Sequence, residues 1–261
     1  MSAIAAAFAG KKDKVLIAYI TVGYPTLQAT LEAVPLLESC GVDLVELGIP
    51  FSDPLADGVT IQQASFHALQ NGITPAACLE AARLIRKKTN LPLLFMTYYN
   101  PVLAYDPAHF CAAAAQAGIG GLIIPDLPPE EAGGVAEHAG RHRLDLIHLL
   151  APNSTEERIR LVTERAGGFI YLVSLTGVTG MRQSLSPGLE KLAARVKQFS
   201  QMPLCAGFGI STPQQAAEAA EFVDGVIVGS GIVQRMGSGQ HWQRDVAAFA
   251  RSLKQALRPA P

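Results

Sequence analysis

Apolar residues in this chain come in short runs, and amphipathic stretches separate them from one end to the other. Runs such as Val15 to Ile20, Leu44 to Ile49 and Val226 to Val228 read as parallel strands covered on both faces. Eight such segments are predicted as strands: residues 15–23, 43–49, 91–99, 121–126, 145–151, 169–175, 203–210 and 225–229. The amphipathic stretches between them predict helices over 26–39, 75–88, 107–117, 129–140, 155–166, 187–199 and 212–220. Several open on Thr or Pro, which suit helix starts, and Glu156 and Glu157 suit a first turn.

Strand and helix alternate at roughly 30-residue spacing, which predicts an α/β fold of the (β/α)8 barrel type. A doubly wound open sheet is the other α/β arrangement, but no GxGxxG follows the first strand. No linker or shift in composition divides the chain, so residues 1–261 are expected to form a single barrel domain. The Ala-rich first ten residues lack the basic start of a signal peptide and read as an extra N-terminal helix covering one end of the fold.

Composition narrows the function classes. Nearly half the residues are hydrophobic and the net charge is −1, so a large core is available and a nucleic-acid or anionic-membrane surface is not expected. The four cysteines have no CxxC spacing and read as buried thiols of a cytoplasmic protein. No cluster of His and carboxylates marks a metal site, and no Lys near a strand end offers a Schiff base. His148 reads as a core residue.

In a barrel, chemistry belongs to the carboxyl ends of the strands and the loops after them. Glu46 lies inside an apolar strand, where a carboxylate must be paired, protonated or used. Asp57 follows eleven positions later in a Pro- and Gly-punctuated loop, where it is either a second acid of the same cleft or a cap for the next helix. Glu46 has its own plain alternative, a structural ion pair. Asp126 stands at a comparable loop position, and Asp53 reads as structural. Gly207-Phe-Gly209 and Gly229-Ser-Gly231 end the last two strands, where barrels commonly hold phosphate against backbone N–H groups. Residues 176–180 read either as a lid over a ligand or as a plain connection.

Four segments then carry a resemblance: Val45 to Gly58, Phe95 to Pro101, Tyr171 to Gly180 and Ala206 to Ile210. Along nearly its full length the chain resembles the tryptophan synthase alpha subunit family. The resemblance implies a lyase of tryptophan biosynthesis that splits indole-3-glycerol phosphate into indole and glyceraldehyde 3-phosphate. It implies that Glu46 protonates the ring and then takes the glycerol hydroxyl proton, and that Asp57 stabilises the indole N–H. It implies an indole slot lined by Tyr19, Met96, Ile123, Leu149, Tyr171 and Phe208, with Thr179 closing toward Asp57, and a phosphate seat at Gly180, Gly209, Gly229 and Ser230. Tyr19 stands where some members have Phe.

The resemblance also implies no cofactor on this chain. Pyridoxal phosphate is expected only on a beta subunit, the partner in an α2β2 assembly. The apolar and aromatic segments 51–56, 98–103 and 126–129 at the barrel mouth are expected to dock it. Competing readings are a stand-alone lyase releasing free indole, another phosphate-binding barrel such as a sugar-phosphate isomerase, and a catalytically dead interaction subunit.

Overall fold

The computed structural model describes residues 1–173 and 188–258. Its strands are β1 (Val15–Thr21), β2 (Leu44–Gly48), β3 (Leu93–Met96), β4 (Gly121–Ile123), β5 (Asp145–Ile147), β6 (Leu149–Leu150), β7 (Ile170–Val173), β8 (Leu204–Gly207) and β9 (Gly225–Val228). All pair in parallel, in the order β5-β4-β3-β2-β1-β9-β8-β7-β6. Only His148 separates β5 from β6, and the His148 carbonyl accepts the Tyr171 N–H at 3.0 Å. The two pieces are therefore one strand broken in the middle, and the sheet curls into an eight-membered (β/α)8 barrel.

Alternation along each strand divides the core into two layers. On β1, Val15, Ile17 and Tyr19 face the barrel interior with Leu44, Leu94, Phe169 and Cys205, while Leu16, Ala18 and Ile20 face the surrounding helices. Val45 and Leu47 belong to the outer layer, so Glu46 between them faces inward. Threonines start many of the helices. Thr26, Thr74, Thr155 and Thr212 each accept the backbone N–H three residues on, at 3.1 to 3.2 Å. The expected N-terminal helix is Ala3–Ala6, and it closes the amino end of the barrel. Its Ile4 is fully buried, and a methyl group built on Gly121 or Gly168 would come within 2.8 Å of the Ile4 side chain.

Two expectations need correction. The strand expected over 91–99 stops at Met96, and Tyr99–Tyr105 is helix. Pro101 fits that helix's first turn, where an N–H has no partner within the helix, and Asp126 Oδ1 accepts the Tyr99 N–H at 2.9 Å. The helix expected over 129–140 begins only at Gly133, after a turn in which Glu131 N–H bonds Pro128 O at 3.0 Å. The helices Val59–Gln70, Ser230–Met236 and Trp242–Ala256 add to those read from periodicity.

All four cysteines are buried and unpaired, and no helix among the described residues is long and apolar enough to cross a membrane.

Candidate active site

The carboxyl ends of the strands surround a half-open cleft of about 490 Å³. Glu46 reaches it from β2. Its side chain is fully buried, and neither carboxyl oxygen has a hydrogen-bond partner among the described residues. Burial alone pushes the carboxyl up to about 8, so the group is mostly protonated at neutral pH. No cation among the described residues pairs with it.

Asp57 reaches the same cleft from the loop after β2. A turn closed by Asp57 N–H on Pro54 O at 3.0 Å positions it. Its carboxylate accepts from the Tyr98 hydroxyl at 3.2 Å, and Gln62 Nε2 bonds its backbone carbonyl at 2.8 Å. Burial raises this carboxyl to about 6 and the Tyr98 bond works in the opposite direction. Gly58, not Asp57, holds the cap position of the helix Val59–Gln70. The two acids are thus driven apart: near pH 7 one is mostly a proton donor and the other mostly an anion. Asp126 is exposed and bonds Tyr99, and Asp53 is exposed on the rim.

The walls between and around the acids are apolar. Tyr19, Met96, Leu149, Tyr171 and Phe208 line the cleft with both acids. Ile123 does not stand among them. It is wholly buried in the inner core layer at the end of β4, and Pro125, two residues on, lines the cleft. Ile61, Val173 and Ile227 also line the cleft and were not anticipated. Ile227 and Val173 carried a signal, since both fall at inward positions close to strand ends. Ile61 sits one turn into a helix, and no strand pattern points to it.

Two tyrosines owe their positions to glycines on neighbouring strands. A methyl group on Gly48 would stand 2.1 Å from the Tyr19 hydroxyl, and one on Gly207 would stand 2.0 Å from the Tyr171 hydroxyl. Neither ring could lie where it does beside any larger residue. Tyr171 also meets Phe208, with ring centroids 5.4 Å apart.

At the far side of the cleft, Phe208 and Gly209 follow β8 with φ of 65° and 83°. Gly209, Gly229 and Ser230 all line the cleft there. The helix Ser230–Met236 is held against the last helix. The Arg235 guanidinium lies 3.7 Å over the Phe249 ring and donates to Gly231 O at 2.7 Å, so it is turned onto those partners. Thr179, Gly180 and the rest of the loop expected over 176–180 lie outside the described residues.

A barrel whose strand ends gather two oppositely tuned acids, an aromatic slot and a glycine-lined far wall defines a (β/α)8-barrel enzyme. Comparison with known proteins makes this specific. The family model described as "Tryptophan synthase alpha chain" matches residues 5–258. The tryptophan synthase alpha chain of Dehalococcoides mccartyi is 54% identical over 257 residues, covering 98% of this chain and all of the relative. That of Chloroflexus aurantiacus is 51% identical over 98% of this chain and 99% of the relative. Among solved structures, Mycobacterium tuberculosis tryptophan synthase in its aminoacrylate-bound form aligns with a TM-score of 0.90 at 35% identity, over 99% of this chain and 100% of that one. The tryptophan synthase subunit alpha of Legionella pneumophila aligns with a TM-score of 0.88 at 35% identity, over 98% of both chains. The chain belongs to the tryptophan synthase alpha chain family.

Proposed function

We propose that this chain, acting as one domain, cleaves indole-3-glycerol phosphate to indole and glyceraldehyde 3-phosphate as the alpha subunit of a tryptophan synthase. The observation that carries the reading is the buried Glu46 carboxyl, unpartnered among the described residues, in one apolar cleft with Asp57.

The chemistry follows from their protonation. The carbon–carbon bond breaks only if the ring can accept its electron pair, and protonation at C3 converts the indole to an indoleninium cation that can. Glu46, raised to about 8, holds the proton for that step. Asp57, ionised above about 6, stabilises the positive charge that develops at the ring nitrogen. The Glu46 carboxylate left behind then takes the proton of the glycerol hydroxyl next to the ring. The carbonyl of glyceraldehyde 3-phosphate forms, the C–C electrons return to the ring and neutral indole leaves. Glu46 ends the cycle protonated as it began.

Tyr19, Met96, Leu149, Tyr171 and Phe208 are the walls of the indole slot, with Ile61 and Ile227 extending them. Gly209, Gly229 and Ser230 offer backbone N–H groups and a hydroxyl to the phosphate.

The reaction needs no organic cofactor on this chain, and pyridoxal phosphate is assigned to a beta subunit. The rim around the mouth supports such a partner in an α2β2 assembly. Leu55 is 86% exposed, Val59 65% and Leu103 53%, an apolar border where a free-standing enzyme would carry polar loops. The setting is cytoplasmic, in keeping with four unpaired cysteines.

The test is cleavage of indole-3-glycerol phosphate, followed by indole release, with wild type, Glu46→Gln and Asp57→Asn, each with and without a beta subunit. Turnover by wild type that both substitutions lower by a factor on the order of 10² to 10⁴ is expected. Wild-type-like turnover of either variant would remove the mechanism.

A further inference from the structure

The Tyr19 ring is wedged between two glycines that belong to different parts of the cleft. At one end, a methyl group on Gly48 would stand 2.1 Å from its hydroxyl. At the other, a methyl group on Gly229 would stand 3.2 Å from its Cδ1 and 3.3 Å from its Cβ. Gly48 follows Glu46 by two residues on β2, so the two share the inward face. Gly229 directly follows β9 at the far wall of the cleft. The register places β1 between them: Tyr19 pairs with Glu46, and Ala18 pairs with Val228 on the other side. The hydroxyl lies 3.4 Å from Thr21 Oγ1, and the residue is 7% exposed. One rigid ring therefore reaches from the glycine beside the phosphate seat to the glycine on the acid's own strand.

We propose that Tyr19 is a positioning residue that sets the distance between the phosphate seat and Glu46, and so selects substrates with three carbons between the indole ring and the phosphate. This rests on the function proposed above. With the phosphate fixed at one end, the linker decides whether ring carbon C3 arrives at Glu46. A ring with two rotatable angles, in contact at both ends, holds that span better than a flexible aliphatic chain would. Burial, with Asp57 and Glu46 adding to it, keeps the phenol neutral, so it serves as a wall and not as a third base.

The experiment measures binding of indole-3-ethanol, indole-3-propanol and indole-3-butanol phosphates by calorimetry to wild type, Tyr19→Phe and Tyr19→Leu. Wild type should prefer the propanol phosphate. Tyr19→Phe keeps the ring and should keep the preference. Tyr19→Leu should reduce the preference for three carbons over four by about tenfold, the scale of one methylene in a fitted site. Where Tyr19→Leu fails to fold, Tyr19→Met provides the same comparison. A Tyr19→Leu or Tyr19→Met protein that weakens all three ligands equally, or keeps the wild-type preference, overturns the spacer role alone. Wild type binding none of the three overturns the indole-phosphate reading and the spacer role with it.

Discussion

The Tyr98 hydroxyl donates to Asp57 Oδ2 at 3.2 Å while accepting the Ala56 N–H at 2.9 Å, so one phenol fastens the loop that carries Asp57 to the end of β3. The bond favours the carboxylate and opposes the burial that raises Asp57 to about 6. Removing it with Tyr98→Phe should raise the Asp57 pKa further. The acidic limb of the kcat/KM–pH profile should move upward from about 6, and turnover at pH 7 should fall while turnover at pH 8 changes less. An acidic limb that stays in place would show that Asp57 is not the group whose ionisation the reaction needs.

Glu46 supplies the opposite limb. Its proton is required, so activity should fall as pH rises through about 8, giving a bell with Asp57 on its acid side. Glu46→Gln should lower turnover by a factor on the order of 10² to 10⁴.

The same carboxyl links stability to pH. Its folded pKa of about 8 exceeds the ordinary 4.5, so its contribution to stability is fully present below about 4.5 and is lost as pH rises through about 8. Glu46→Gln cannot ionise and should gain on wild type across that window, by a few kcal/mol at pH 9 relative to pH 4. Denaturant unfolding of both proteins at the two pH values checks this. A gap that shrinks with rising pH would mean that the native carboxylate is paired.

Much of this architecture was legible because parity and spacing are strict. Once 44–49 is a strand between Val45 and Leu47 facing helices, Glu46 has nowhere to point but the barrel interior. The loops after the strands then collect Asp57, Gly209 and Gly229 at one end. What the pattern does not carry is contact between distant segments. Tyr98 reads as the end of an apolar strand, and only folding brings its hydroxyl to Asp57, forty-one positions away. Gly48 looks like an ordinary strand glycine until Tyr19 is laid across it. Ile123 shares the inner layer with Tyr19, Met96 and Tyr171, yet it is wholly buried, and parity alone does not say which inward residues reach the cleft surface. The break falls at His148, the polar residue of an otherwise apolar run, but a single polar residue in a run does not by itself predict a break.

At the far wall, Gly209 adopts φ of 83° directly after Phe208 at 65°. A β-branched side chain is strained there, so Gly209→Val should displace the loop and abolish binding of glyceraldehyde 3-phosphate. Ser230→Ala removes one hydroxyl and leaves the backbone donors, so binding should weaken only a few-fold. Calorimetric titration distinguishes the two, and normal binding by Gly209→Val would place the phosphate elsewhere.

Leu55 stands 86% exposed on the rim and is not part of the cleft wall. Leu55→Asp should leave the unstimulated cleavage rate near wild type and weaken association with a beta subunit by about tenfold or more, since an unpaired charge would be buried on docking. Titrating the beta subunit while following cleavage reads both quantities. Undiminished stimulation would move the docking surface away from this loop.

The pairing of Tyr19 with Gly48 and of Tyr171 with Gly207 imposes an order on sequence change. Losing a ring first leaves a cavity, which costs about 3–5 kcal/mol at most and can be refilled later. Enlarging a glycine first puts a methyl group 2.0 or 2.1 Å from a phenol oxygen, an overlap that only a shift of the strand or the ring can relieve. Descendants of this chain that explore new slot shapes must therefore pass through the emptier intermediate. A library that varies glycines 48 and 207 with the tyrosines held constant is expected to return few folded members, whereas one that varies each pair together searches the accessible part of sequence space.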